Sequence, residues 1–349
     1  MKASFVSTAA VSQSLRYQLM RMQSELVSAN KESQSMTVAD RGLALGVRTS
    51  QSISLTRDMQ RVNGLIDQNA LVSSRLTSSQ NALKQIEERA QSFLSTLSVG
   101  MSGQATQGVT LADAKGTLDA LTSILNTTVN GEHIFSGINT DVKPLTSYTA
   151  TGSPAKAAFG ASFQTFFGFS QTDPAAAGIT SAQMDSFLTT AVEPQFLGAG
   201  WQTNWSDASD DLITSRITLN ETLDTSVNAN SSGIRKLAMA ATAIYEAMSS
   251  PTMNAAAKTT AIERAHTMVA EAIADLAKVQ SETGIIQQRV SKASERLQAQ
   301  ADVFERTIGK MEGIDPYEAS TRVTSLIEQI EMSYALTARL QKLSLSKFL

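Results

Sequence analysis

Two histidines are the only imidazoles in the chain, and there is no cysteine, so thiol catalysis, Cys-ligated zinc and disulfide staples are all absent from the outset. His133 lies in a turn-like stretch and His266 sits one helical turn after Ile262, and neither has a carboxylate or hydroxyl partner spaced for a triad or a metal site. The run SDASDD at 206–211 has the acid density of a calcium loop but lacks the internal glycine and the distal glutamate, which makes it a solvated turn or helix cap. Phe159, Phe163, Phe166, Phe167 and Phe169 with Trp201 and Trp205 could form an adhesive surface, although buried core is the simpler role for such side chains. No glycine-rich phosphate loop occurs. The chain offers no catalytic, cofactor-binding or metal-ligating constellation, and we expect a non-enzymatic protein without cofactors.

Charge and hydropathy narrow the partners. The 29 Lys and Arg residues stand against 32 Asp and Glu, a net charge of -3 that speaks against nucleic acid or an anionic membrane as the main partner. MKASFVSTAAVSQSLRYQLM breaks its apolar residues with polar ones, so no signal-peptide core is expected, and no stretch elsewhere reaches the ~20 apolar residues of a spanning helix.

The elements that must position these residues are helical at both ends. Leu15, Leu19, Met22, Leu26 and Ala29 step by four and three, predicting a first helix from about Ala9 to Met36. After a looser stretch with Gly42 and Gly46, the rhythm returns over Ser52–Ser98, roughly 70 Å of helix at ~1.5 Å per residue, which needs a partner along its length. Gly100, Gly103 and Gly108 mark a break before a shorter helix over Leu111–Asn130. Residues 147–213 gather prolines, both tryptophans and the phenylalanine cluster, a composition read here as short strands and turns. Ile217 and Leu219 suggest one more strand. Helical spacing resumes near Ile234, and one long helix is expected from Asn254 to about Lys310, weakened locally by Gly284. Gly313 and Pro316 end it and start the last helix, whose seam carries Val323, Ile327, Ile330, Tyr334, Thr337 and Gln341, flanked by Leu326, Leu336, Leu340 and Leu343.

The expected architecture is therefore mainly α with an α+β insert. A long antiparallel helical rod is built from N- and C-terminal segments and carries a small β-containing outer domain. Its parts are an N-terminal assembly helix (1–45), disordered in the monomer, the first half of the rod (46–146), the insert (147–213), the second half of the rod (214–310) and a C-terminal assembly helix (311–349). Each terminal helix is amphipathic but too small to bury its own apolar face, so each needs the other and then neighbouring copies. Leu15, Leu19, Met22, Leu26, Val323, Ile327, Ile330, Tyr334, Leu340, Leu343, Leu345 and Phe348 are the candidate assembly residues.

A family resemblance attaches to three segments. GEHIFSGINTDVKP at 131–144 resembles the signature that follows the rod helices in flagellar hook-filament junction proteins (hook-associated protein 3), relatives of flagellin, through Gly131, Ile134, Phe135, Ser136, Gly137, Thr140 and Pro144. The ending SYALTARLQKLSLSKFL is similar through Ser333, Tyr334, Ala335, Leu343, Ser344, Leu345, Phe348 and Leu349, and MKASFVSTAAV is similar to the family's opening. Together these frame about the first 145 and last 125 residues. Where many relatives carry a Gly-Lys-Arg turn and an Asn-Pro-Asp-Asp-Pro run, this chain has SMTVADRGLALG, marking a divergent member.

The resemblance implies a flagellin-like fold and a structural adaptor at the distal end of the hook. Its implied partners are other copies of itself in a ring or tubular layer, the preceding junction protein, flagellin and an export chaperone. It implies an extracellular location reached through type III export without a cleaved signal. Absence of cysteine and few aromatics suit passage of an unfolded chain. A filament-forming flagellin is the alternative within the same class. A signalling coiled coil is a distant one, since it needs a membrane anchor and an uninterrupted hairpin.

Overall fold

The computed structural model describes the backbone of residues 8–345 and the side chains of residues 10–339. The chain forms two compact units, one made of residues 1–64 and 297–349 and the other of residues 65–296.

In chain order, α1 spans Thr8–Ser35 and a short α2 spans Arg41–Leu45. The long α3 covers Thr49–Met101, 53 residues, and α4 covers Gln107–Leu125. A small hairpin pairs β1 (Thr128–Val129) with β2 (Glu132–His133). Then come α5 (Pro154–Phe167), α6 (Ser181–Phe187), α7 (Glu193–Leu197) and α8 (Gly200–Asn204), followed by a second antiparallel ladder, β3 (Thr214–Thr218) with β4 (Glu221–Asp224). Finally α9 covers Ser232–Ser249, α10 covers Ala255–Glu312, 58 residues, and α11 covers Pro316–Leu345.

The first and last helices meet in the first unit. Gln23 donates to the Tyr334 hydroxyl at 3.0 Å and Arg322 pairs with Glu32 at 3.1 Å, so residue numbers rise on α1 as they fall on α11, which makes the pair antiparallel. In the second unit α3 and α10 are likewise antiparallel: Gln287 donates to Thr77 at 2.9 Å, and Gln80 donates to the Gln280 carbonyl at 2.7 Å. The expected helices fall within a few residues of those observed, and α10 runs unbroken through Gly284.

Residues 147–213 depart from expectation. They are helical, and strand pairing touches them only at Ser206, which bridges Leu145; the β3–β4 ladder begins just after them. The physical reason is spacing. Phe159, Phe163, Phe166 and Phe167 recur every three or four residues, the helical period. Ser153 caps α5 by accepting from Lys156 N, Pro154 occupies the first turn, and Gly168 ends the helix in the left-handed region at φ 81°. A capping box of Thr180 and Gln183 starts α6 in the same way. Aromatic composition suggested β structure, but the caps and period decided for helix.

Nor do these aromatics form a core of their own. Phe163, Phe187, Trp201 and Trp205 belong to one continuous buried cluster with Phe93 on α3, Leu121 on α4, Leu237 and Ile244 on α9 and Val269 on α10. Its centre is α9, whose run Leu237–Ile244 is wholly buried because small alanines admit helices from several sides. Gly233 shows how close the approach is: a Cβ there would lie 2.9 Å from the Ala272 carbonyl oxygen.

Candidate assembly surface

Helices α1 and α11 share a thin seam. Ala29, Ala319, Leu326, Ile330 and Ser333 are buried, whereas Leu15, Leu19, Met22, Leu26 and Val323 are only half-buried. Leu326 takes the inward position that the heptad reading assigned to Ile327, which is 43% exposed, and Tyr334 is 52% exposed at the edge of the seam, its hydroxyl accepting from Gln23 of α1. The side chains of Leu340, Leu343 and Leu345, and all of Phe348, lie outside the described residues. Tyr17, Met20 and Val27 on α1 and Met332 and Leu336 on α11 are also exposed. Among the described residues, most large exposed apolar side chains belong to the first unit, although it is the smaller one. Each of its terminal helices therefore carries a second apolar stripe that its own partner does not cover.

The crossing from α1 to α3 is tied down by short-range chemistry. Thr37 bridges Gly313, Val38 N donates to the Glu312 carbonyl at 2.9 Å, and Ile314 N donates to the Met36 carbonyl at 3.1 Å. The Glu312 side chain is buried, pairs with Arg41 at 2.9 Å and accepts from the Ser52 hydroxyl. Replacing Glu312 with alanine is expected to lower the stability of this junction by about 2 kcal/mol, because the buried Ser52 loses its partner and Arg41 its counter-charge. Faster amide exchange at Val38 and Ile314 than in the parent protein would show it.

The sequence-predicted signature turn lies in the second unit and acts as a strap. Asn130 and Gly131 both have positive φ, 54° and 86°, the requirement of a two-residue hairpin turn. Ile134 and Phe135 drop into the core. Phe135 O accepts from Ala229 N at 2.8 Å, Ser136 O from Ser209 N at 3.0 Å, and Pro144 O from Asp207 N at 3.1 Å. Gly137 sits at φ 64° against the carbonyls of Ser209 and Asp211, where a Cβ would stand 2.5 Å from both oxygens.

The acidic run 206–211 is thus held by its backbone against the strap. Asp210 accepts from Asn230 at 2.8 Å and from Gln202 at 2.5 Å, and no group of three metal-ligating side chains converges among the described residues. Asn230, to which no sequence pattern drew attention, satisfies all its amide valences: it accepts from Trp201 Nε1 and Ser206 Oγ at 2.8 and 2.7 Å and donates to Ala208 O and Asp210. Its only sequence signal is a polar cluster, NANSS, just before an apolar helix.

The histidines have neutral partners. His133 Nδ1 lies 3.1 Å from the Asn126 carbonyl and His266 Nε2 lies 3.0 Å from the Ser98 hydroxyl. A buried acid pair does exist: Tyr148 donates to Glu246 at 2.8 Å and stacks on Trp205 with ring centres 5.2 Å apart. Burial, with Glu246 beside it, pushes the Tyr148 phenol far above its ordinary value, and burial also raises the Glu246 carboxyl. The folded state therefore holds the Glu246 proton more tightly than the unfolded chain does. That contribution to stability is fully present below pH 4.5 and falls as pH rises from there through the raised folded value. Glu246→Gln, which still accepts from Tyr148, is expected to match the parent near pH 4 and exceed it at pH 7.5. Urea denaturation at the two pH values tests this.

The chain thus pairs antiparallel helices drawn from both of its ends and leaves large apolar side chains exposed on them. Two family models match the chain, the bacterial flagellin N-terminal helical region over residues 6–140 and the C-terminal helical region over residues 266–349, together more than half its length. Among solved structures, one described as a putative flagellar hook-associated protein from Vibrio parahaemolyticus is similar in fold, with a TM-score of 0.51 at 12% identity, covering 76% of this chain and 97% of that one. No curated protein matches significantly. The chain belongs to the flagellin-related family, whose members are structural, non-enzymatic proteins of the bacterial flagellum.

Proposed function

We propose that the chain is the adaptor at the hook-filament junction of a bacterial flagellum, a layer of self-assembled copies on which flagellin then polymerises. The observation that carries the assembly part is the double apolar stripe of the terminal helix pair, with Tyr17, Met20, Met332 and Leu336 left for neighbours. In this reading α1 and α11 fray in the free monomer and become fully ordered only when copies cover them. The junction position is supported by the resemblance of the sequence at 131–144 to the signature of junction proteins, and by the fold shared with a structure described as hook-associated.

The partners are other copies, the preceding junction protein below, flagellin above, and an export chaperone before secretion. The location is extracellular and is reached by type III export.

Deleting the gene in its host is the direct test. Loss of an adaptor leaves completed hooks without filaments while flagellin accumulates in the medium. Antibody label spread along whole filaments, in place of one band at the hook's end, would instead make the chain a filament subunit.

A further inference from the structure

Resting on the self-assembly just proposed, the geometry points to a specific contact between two copies of this chain: Leu43 and Val47 of one copy seat on the Ile327–Tyr334 face of α11 in another, with Arg48 set against Glu328 and Glu331. Leu43 and Val47 are the most exposed large apolar side chains among the described residues, at 88% and 97%. They are held out by a built platform. Asp40 caps α2 by accepting from Leu43 N at 3.0 Å, and Gly46 turns the chain at φ 55°. The Thr49 hydroxyl donates to the Gly46 and Arg41 carbonyls at 2.7 and 3.2 Å, while Leu45 is buried and anchors the turn from beneath. The five-residue α2 and the 3-10 turn Gly46–Arg48 that follows it, fixed at both ends, present one aliphatic side chain each to water with little conformational freedom left to lose on docking.

The receiving face is chosen by charge. Ile327, Glu331 and Tyr334 lie at i, i+4 and i+7, one side of α11, with Glu328 beside them. Glu318, Arg322, Glu32, Arg41 and Glu312 nearby all form ion pairs, but among the described residues Arg48, Glu328 and Glu331 form none. One cation beside the projecting pair and two anions beside the exposed apolar pair are complementary. Two projections facing each other would instead bring Arg48 against Arg48. The contact is therefore heterologous and propagates from copy to copy rather than closing a dimer. Two side chains also cover far less than the ~800 Å² per partner of a stable binary interface, so the contact holds only within a multivalent layer.

The chain has no cysteine, which permits a clean test. Full-length Val47→Cys and Glu331→Cys proteins, one carrying a mass tag, are mixed, concentrated until they sediment and exposed to a mild oxidant. A disulfide needs Cα atoms within about 7 Å. The expected product is the mixed dimer joined through positions 47 and 331, more abundant than either homodimer and confined to the sedimented fraction. In parallel, Arg48→Glu should raise the concentration needed for assembly about threefold, and Arg48→Glu with Glu331→Arg should restore it. Sedimented material without the mixed dimer, or a charge swap that fails to restore assembly, overturns the contact alone. A chain that stays monomeric at every concentration overturns the self-assembly reading with it.

Discussion

Gly137→Ala is expected to destabilise the protein by about 3–5 kcal/mol, a large effect for adding one methyl group. Two costs combine. The backbone at φ 64° lies in the left-handed region, which costs a β-carbon-bearing residue on the order of 1 kcal/mol, and the new Cβ would stand 2.5 Å from the carbonyl oxygens of both Ser209 and Asp211. Neither oxygen belongs to a flexible side chain that could swing aside. Ser209 also donates its N–H to Ser136 O, and Asp211 O accepts from Ile138 N, so relief of the clash breaks the strap's own hydrogen bonds. The loss should then spread to Asn230, whose amide is satisfied only while the 206–211 loop stays in place. Chemical denaturation measures it. An Ala variant within about 1 kcal/mol of the parent would mean that the strap does not clamp this loop.

How much of this was legible beforehand depends on the range of the interaction. The helix limits were legible because their signals are local: Gly313 and Pro316 punctuate the join between α10 and α11, and the four-three rhythm marks α1 closely at each end. Inside 147–213, composition misled where period would not have, since the phenylalanines already stood at helical spacing. The strap's residues were visible as a motif, but not their task. They grip residues 206–211 and 228–230, which lie far along the chain and share no periodicity with them. The orientation of α11 was illegible for a different reason. Leu326 and Ile327 are adjacent and equally apolar, and each heads a stripe with the spacing of a packing seam. A sequence shows that such a helix has two apolar sides. It does not show which one its own chain takes and which is left for a neighbour.

That two-sidedness underlies the second large effect. Placing aspartate at both Leu326 and Ile330 should separate α11 from α1 and abolish assembly, while the core around α9 remains folded. Both side chains are buried in the seam with α1, where Ala29 is fully covered and the flanking Leu15, Leu19, Met22 and Leu26 are only half-covered. A seam that thin has little surplus to offset two carboxylates, each costing several kcal/mol if left without a counter-charge. The charges already near it are committed: Glu32 pairs with Arg322, and Arg322 also holds Glu318. The exposed residues Ile327 and Tyr334 are unchanged in this variant, so the apolar stripe offered to neighbours keeps its composition and loses only its support. Circular dichroism should show a loss of helix no larger than the two terminal segments, tryptophan fluorescence from the buried Trp201 should stay native, and sedimentation should report monomer. If the double variant still polymerised, the terminal pair would not be the scaffold of the assembly surface, and the contacts between copies would have to be sought in residues 65–296.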